Sequence, residues 1–319
     1  MSLSDAAYSS PASMANKLIA HLPQGPSALW MLVPSLLFVL VFFIFPCVSL
    51  FSYSVMTQAG GGRIGAPFTL ANFAQISADP FIWRIFVATI RISIITSIFS
   101  VILGYPVAMV IARGVPQISR LTTIIIIAPL MVSIVVRTYG WQLLLANSGN
   151  GVVNWVLYQF GFPKVTFRVM FSETAVIIGS LHVFFPMMVL PLATALSRIS
   201  PAVEEAAKTL GAPAWLVFWR VTLPLSIPGL AAGLTFVFSL TASSYVTPAL
   251  LGGNRAMMLG NLLDQQITAT YNWPLGAAIA VVMVVLVFAV NALSMLVLER
   301  RRAGGQDAAP AGARKAGAQ

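Results

Sequence analysis

The chain has 319 residues, of which 58% are hydrophobic and only 8% are charged. Roughly a quarter of the residues in an average soluble domain are charged, so this composition excludes a soluble globular enzyme and a disordered protein. The 18 Lys and Arg residues outnumber the 8 Asp and Glu residues, but in membrane proteins basic residues concentrate in cytoplasmic loops. We therefore predict a polytopic, all-α membrane protein that contacts the lipid bilayer and binds no nucleic acid.

Six segments reach the roughly 20 apolar residues that a transmembrane helix needs. In chain order they are Leu29–Tyr53, Phe86–Ala112, Leu121–Leu145, Thr174–Leu196, Leu225–Val246 and Pro274–Leu298. Prolines inside the spans, such as Pro129 and Pro186, are expected to produce tolerated kinks, because neighbouring helices can satisfy the freed carbonyls. The first apolar run is too long for a signal peptide and no A-x-A-like site follows it, so we expect this span to be retained.

Six spans place both termini on the same side of the membrane. With cytoplasmic termini, the inner segments hold 11 Lys and Arg residues and the outer segments hold 5, which agrees with the positive-inside rule. The five outer residues are Arg63, Arg84, Lys164, Arg168 and Arg255. We expect a cytoplasmic tail over residues 1–27, a transmembrane domain over 28–300 with a loop at 197–224, and a disordered cytoplasmic tail over 301–319.

The residue patterns that support catalysis or ion coupling are missing. The sequence contains no Gly-Lys dipeptide, and therefore no G-x-x-x-x-G-K-[ST] phosphate loop, and neither His21 nor His182 begins an H-E-x-x-H motif. No acidic residue lies in the middle of a predicted span, where ion-coupled carriers usually keep a carboxylate. We predict no catalytic residue, no metal site and no cofactor in this chain. His182 lies in the middle of a predicted span and is interpreted as a hydrogen-bonded packing residue, with a role as a ligand or proton carrier as the alternative. A stand-alone ion-coupled carrier or channel is the alternative function.

The cytoplasmic loop between the fourth and fifth spans predicts a helix–turn–helix. Ser200 can cap the first helix and Pro201 suits its first position. Gly211 can end that helix in a left-handed conformation, and Pro213 can begin a second helix that Pro224 then breaks. The loop is either an ordinary amphipathic segment at the membrane interface or a helix shaped to dock into the groove of another protein.

A motif in this loop resembles the EAA loop of ATP-binding-cassette importer permeases, E-A-A-x3-G-x9-I-x-L-P, with Val221 in place of the isoleucine. The matching residues are Glu205, Ala206, Ala207, Gly211, Leu223 and Pro224. The resemblance implies that Glu205, Ala206, Ala207 and Gly211 form an element coupled to an ATPase, and that Leu223 and Pro224 anchor its exit.

Further blocks, in the same order, resemble the permease subunits of the spermidine/putrescine type. They are FTLANFAQI (68–76), LGYPVA (103–108), VRTYGWQLLLANSGNGVVN (136–154), FSETAVIIG (171–179), YVTPALLGG (245–253) and NWPLGAA (272–278). The resemblance implies a bacterial inner-membrane permease with the six-helix, type I (MetI-like) fold and a cytoplasmic coupling helix. Its implied partners are a dimer of ATP-binding subunits that holds ATP and magnesium, a second permease subunit and a periplasmic solute-binding protein.

The implied solutes are polyamines or similar small organic molecules. The candidate solute-pathway residues are Arg137, Tyr139, Trp141, Tyr245, Thr247 and Asp264. The same aromatic residues also fit an interfacial belt in which Arg137 snorkels towards water. Polyamine members often carry an acid in the block that matches YVTPALLGG, but this chain has Thr247, Pro248 and Ala249 there, and Asp264 is the nearest acidic residue in the loop. Amino-acid-like or opine-like solutes therefore stay as alternatives.

Overall fold

In the computed structural model of the chain, residues 26–59, 63–148, 151–164 and 167–306 are described. Residues 1–25 of the predicted N-terminal tail and residues 307–319 of the predicted C-terminal tail lie outside them. The last helix continues to Gln306 and so extends beyond the expected domain boundary at residue 300. The chain divides into two units, Met1–Tyr53 and Ser54–Gln319.

The first unit carries the first predicted span. Helix α1 (Pro26–Val39) continues through a π-helical segment, Leu40–Ile44, into helix α2 (Phe45–Ser54). The apolar stretch Leu32–Ser54 is long enough to cross a membrane. Side chains 32–46 are all exposed, as expected of apolar residues whose surroundings are lipid rather than water.

The second unit contains a short hairpin and eleven helices within the described residues. They are β1 (Thr57–Ala59), β2 (Arg63–Gly65), α3 (Ala71–Ala78), α4 (Pro80–Arg113), α5 (Pro116–Ile127), α6 (Ile134–Leu144), α7 (Val152–Gln159), α8 (Glu173–Ser197), α9 (Pro201–Thr209), α10 (Ala214–Val217), α11 (Leu223–Ala242), α12 (Leu259–Thr268) and α13 (Trp273–Gln306). Strands β1 and β2 are antiparallel, with Gln58 opposite Ile64. Across both described units, five helices are long and apolar enough to span a membrane, or six when α5 and α6 count as one broken span. The predicted all-α membrane fold is confirmed.

The third predicted span, Leu121–Leu145, was wrong as a continuous helix. Helix α5 passes into a 3-10 turn at Ala128–Met131, and α6 leaves at an angle of 101°. Pro129 lies in that turn, and Val132 and Ser133 adopt extended backbone before α6 begins. A proline removes one backbone donor and clashes with the preceding turn. Here the helix ends and a second helix starts in a new direction, whereas the sequence predicted one kinked helix.

Helices α4, α8 and α11 pack against one another and form the centre of the second unit. Gly229 and Gly233 of α11, four residues apart on one face, lie directly against α8. A Cβ at Gly229 would lie 2.3 Å from Cβ of Ala195, and a Cβ at Gly233 would lie 2.7 Å from the sulfur of Met188. This is the small-xxx-small pattern that lets membrane helices approach closely, since their association depends on van der Waals packing.

A side chain at position 229 is therefore expected to separate α8 from α11. Gly229→Val should lower the thermal unfolding midpoint of the purified protein in detergent, because overpacking a tight contact costs about 1–3 kcal/mol. Gly140→Val is the matched control, since a Cβ at Gly140 meets nothing within 4 Å. Equal midpoints for the two variants would contradict this packing.

Candidate functional site

Helix α9 lies directly beyond the end of α8 and carries the E-A-A residues. Pro201 occupies its first position, as predicted, because proline has a helical φ and the first turn needs no backbone donor from it. Ser200 stands at the N-cap with extended backbone, but its hydroxyl makes no capping hydrogen bond. Glu204 lies in the first turn, where a carboxylate favours the positive end of the helix dipole.

Gly211 ends this segment in the left-handed conformation that the sequence predicts, with φ +85°. Its N–H donates to the carbonyl of Lys208 at 2.9 Å, and the N–H of Ala212 donates to the carbonyl of Ala207 at 3.1 Å. This pair of bonds is the Schellman motif, which satisfies carbonyls that the helix end leaves open. The turn directs the chain into α10 without an intervening flexible loop.

The carboxylate of Glu204 joins three segments of the chain. Arg113, the last residue of α4, donates from Nη2 to Oε1 of Glu204 at 3.2 Å and to the carbonyl of Ile199 at 2.8 Å. Thr222, in the π-helical segment that precedes α11, donates its hydroxyl to the same Oε1 at 3.0 Å. The ion pair is largely sheltered, with 21% of the Arg113 side chain and 16% of the Glu204 side chain exposed. We call these residues the Glu204 brace.

Sequence reasoning missed the Glu204 brace. The two glutamates of α9 look equivalent in the sequence, and both suit the helix dipole. In the structure Glu204 turns towards Arg113, while Glu205 is exposed. The partners lie 91 residues apart, and no spacing pattern links them; the only sequence signal is an arginine at the cytoplasmic end of a predicted span.

The outward face of α9 is apolar and unusually exposed. Val203 is 46% exposed and Leu210 is 89% exposed, while Ala206 lies between them on the exposed side and Ala207 is half-buried. Positions three, four and seven residues apart lie on the same face of a helix. Small alanines between two larger apolar side chains give a shallow surface that suits close contact with another protein.

The exit of the loop differs from the prediction that Pro224 breaks the second helix. Residues Ala214–Ala242 form one continuous helix that includes a π-helical segment at Phe218–Thr222. That wider turn immediately precedes Leu223 and Pro224, and π-bulges are among the features that accommodate irregularities within a helix. Leu223 packs against the apolar cluster towards the C-terminal ends of α4 and α8.

Arg137, Trp141 and His182 meet where α6 packs on α8. Arg137 donates from Nη1 to the carbonyl of Val183 at 3.3 Å. The rings of Trp141 and His182 lie edge to face, with centroids 5.6 Å apart. Tyr139 is on another side of α6 and is 52% exposed. The structure thus brings Arg137 and Trp141, two of the predicted pathway residues, together with His182.

The other predicted pathway residues lie near α12. Tyr245 is half-exposed, and its carbonyl accepts a hydrogen bond from the side chain of Asn261 at 2.9 Å. Asp264 is exposed one turn further along α12. Thr247 is fully buried, and its methyl group would lie 3.0 Å from a Cβ at Gly179. Thr247 therefore packs inside the helix bundle, whereas Tyr245 and Asp264 face outward.

The chain was compared with known proteins. Residues 100–303 match the family described as binding-protein-dependent transport system inner membrane component. The spermidine/putrescine transport system permease protein PotB of Haemophilus influenzae is 29% identical over 77% of this chain and 86% of its own. The inner membrane ABC transporter permease protein YdcU of Escherichia coli K12 is 32% identical over 69% of this chain and 72% of its own.

The fold agrees with these matches. A chain of the bacterial alginate ABC transporter, solved in complex with alginate pentasaccharide-bound periplasmic protein, superimposes with a TM-score of 0.69 at 18% identity, covering 88% of this chain and 93% of that chain. The family and relative matches make the protein a multi-pass membrane transport component. It belongs to the binding-protein-dependent transport system inner membrane component family, the permease subunits of ABC importers.

Proposed function

We propose that this chain forms half of the solute pathway of a polyamine importer, and that movement of separate ATP-binding subunits enters it through α9. The observation that carries the proposal is the geometry of α9, which combines an exposed apolar face with the Glu204 brace. The exposed face suits docking, and the brace links the docked helix to α4 and α11. A second permease subunit would complete the pathway.

The energetic logic is a population shift. ATP binding can favour one conformation of the permease only if the ATPase binds that conformation more tightly than the other. The chain has no phosphate-binding loop of its own, so the difference in binding has to arise from contact with the ATPase, and the exposed face of α9 is the proposed contact. Charge-assisted hydrogen bonds from Arg113 and a second bond from Thr222 hold α9 against both neighbouring helices.

The proposed orientation places α9 and both termini in the cytoplasm. The count of 11 inner against 5 outer basic residues supports it. The opposite end of α8 then faces a periplasmic solute-binding protein, the kind of partner that the family description names.

Polyamines are proposed as the solutes because a related permease from Haemophilus influenzae is a spermidine/putrescine permease. A polyamine would be recognised by carboxylates and by aromatic faces. In the outward-facing group near α12, Asp264 supplies a carboxylate and Tyr245 an aromatic face.

The turn at Gly211 tests the coupling geometry. Gly211→Val should abolish ATP-driven uptake while the protein still inserts, because a β-branched residue is strained at φ +85°. Gly211→Asn is the control, since asparagine tolerates this conformation, and it should retain most uptake. Uptake of labelled spermidine by cells that express the complete transporter measures both. Normal uptake by the valine variant would contradict the assignment.

The Glu204 brace predicts non-additive effects. Arg113→Ala and Glu204→Ala should each lower uptake while the ATPase still co-purifies, because α9 stays docked but moves independently of α4. The loss in the double variant should be smaller than the sum of the two single losses, since both single variants remove the shared ion pair and each also removes one bond of its own, from Arg113 to the Ile199 carbonyl or from Thr222 to Glu204. Uptake and ATP hydrolysis by the reconstituted transporter measure the coupling, and strictly additive losses would show that the two residues act separately.

The solute assignment is tested at Asp264. Asp264→Asn should raise the spermidine concentration that gives half-maximal uptake, because it removes the carboxylate that attracts the polycation. Asp264→Glu keeps a carboxylate and should give a half-saturating concentration close to that of the wild type. Competition with unlabelled putrescine and with glutamate distinguishes polyamines from amino-acid-like solutes. Inhibition by glutamate alone would contradict the polyamine assignment, and uphill uptake by the purified chain without an ATPase would instead favour the ion-coupled carrier.

A further inference from the structure

A cluster of arginines lies at the end of α8 that is opposite to α9. One depression of about 510 Å³ is lined by Arg168, Arg255 and Glu173, and a second of about 480 Å³ is lined by Arg84, Arg91, Glu173 and Arg255. The two depressions adjoin each other, because Glu173 and Arg255 line both. We call this feature the arginine cleft.

The arginine cleft carries an unbalanced positive charge. Glu173 forms an ion pair with Arg91. Among the described residues, no carboxylate lies within 4.0 Å of the guanidinium groups of Arg84, Arg168 or Arg255. These three arginines are exposed, and their charges are therefore available to a partner.

Arg168 is held on a rigid support. The side chain of Asn154 donates to the carbonyl of Phe167 at 2.9 Å and accepts from its N–H at 2.7 Å. The side chain of Asn147 makes the same pair of bonds with Met170, at 3.2 and 3.0 Å. Phe167, directly before Arg168, and Met170, two residues after it, are thus both held through their backbone, and the backbone that carries the guanidinium is preorganised.

The other two arginines also start from fixed backbone. Arg84 lies in α4 between Ile82 and Ile85, which are 4% and 5% exposed. Arg255 ends a short 3-10 turn and is followed by Ala256, which is 1% exposed. Because the backbone at these positions is already ordered, binding a partner costs little additional backbone entropy, which favours affinity.

The placement of these arginines argues against a general role in membrane topology. The positive-inside rule disfavours basic residues outside the membrane, yet three of the five predicted outer basic residues meet in this one cleft. The 25-residue helix α8 separates the cleft from α9 by roughly 37 Å at 1.5 Å per residue.

The surface beside the arginine cleft extends it into a groove. A third depression, of about 490 Å³, shares Phe81, Asn254 and Met257 with the second one. Its polar lining consists mainly of side-chain amides, from Gln75, Asn254, Gln265, Gln266 and Asn272. The three adjoining depressions together form a surface that is larger than one small anion requires. A surface of this size suits a segment of a protein.

We propose that the arginine cleft is a docking surface for an acidic segment of the solute-binding partner. This inference rests on the proposed function, in which a periplasmic protein delivers solute to this face. Carboxylates form paired, charge-assisted hydrogen bonds with guanidinium groups. Complementary charge also steers encounter between the two proteins and fixes their orientation.

The direct test uses poly-L-glutamate as an acidic probe and the full chain in phosphatidylcholine nanodiscs. Wild-type protein should bind the peptide, and the variant Arg84→Gln/Arg168→Gln/Arg255→Gln should bind it about tenfold more weakly. The matched control, Arg120→Gln/Lys164→Gln/Arg220→Gln, removes three exposed charges outside the cleft and should bind like the wild type. Equal losses in both variants, or no binding by the wild type, would overturn the proposal.

A second measurement separates this inference from the proposed function. In the reconstituted transporter, the cleft variant should raise the binding-protein concentration for half-maximal uptake and leave the rate at saturation unchanged. An unchanged half-saturating concentration would overturn the docking surface. If the wild-type assembly binds poly-L-glutamate but does not transport polyamine, the polyamine function is contradicted and the docking surface is supported.

Discussion

The ion pair between Glu204 and Arg113 is the interaction on which this account depends. It lies where α9 meets the last residue of α4, and Thr222 adds the start of α11 to the same carboxylate oxygen. Both bonds to Glu204 link α9 to the bundle between the turns at its two ends. In the proposed function they make the helix that presents an exposed apolar face move together with two of the three helices at the centre of the bundle. A sheltered, charge-assisted bond suits this role, since water screens it less than an exposed one.

The same central helices connect the two ends of the molecule. Helix α8 begins beside the arginine cleft and ends beside α9, and its close contact with α11 at Gly229 and Gly233 leaves no room for a side chain between them. Packing of this kind permits a small number of discrete arrangements and resists gradual deformation. In the proposed function, a displacement imposed at α9 is transmitted along α8 and α11 towards the end of α8 that carries the arginine cleft.

Local chemistry determined which features the sequence could predict. The spans follow from hydropathy alone, and the turn at Gly211 follows from the rarity of left-handed backbone in other residues. Features that depend on distant partners were missed: Glu204 finds Arg113 across 91 residues, and Thr247 is buried against Gly179. The effect of a proline depends in the same way on its neighbours, because Pro186 and Pro191 lie inside an intact helix while Pro129 lies in a 101° bend.

The most direct test of the central claim is photocrosslinking from the exposed face of α9. A benzoylphenylalanine placed at Ala206 in the assembled transporter should crosslink to an ATP-binding subunit, and the yield should change when ATP is added. The same probe at Leu240, an exposed position within α11, should give no such product. A position 206 probe that labels only lipid, or that labels the ATPase equally with and without ATP, would contradict the claim that nucleotide-driven movement enters this chain through α9.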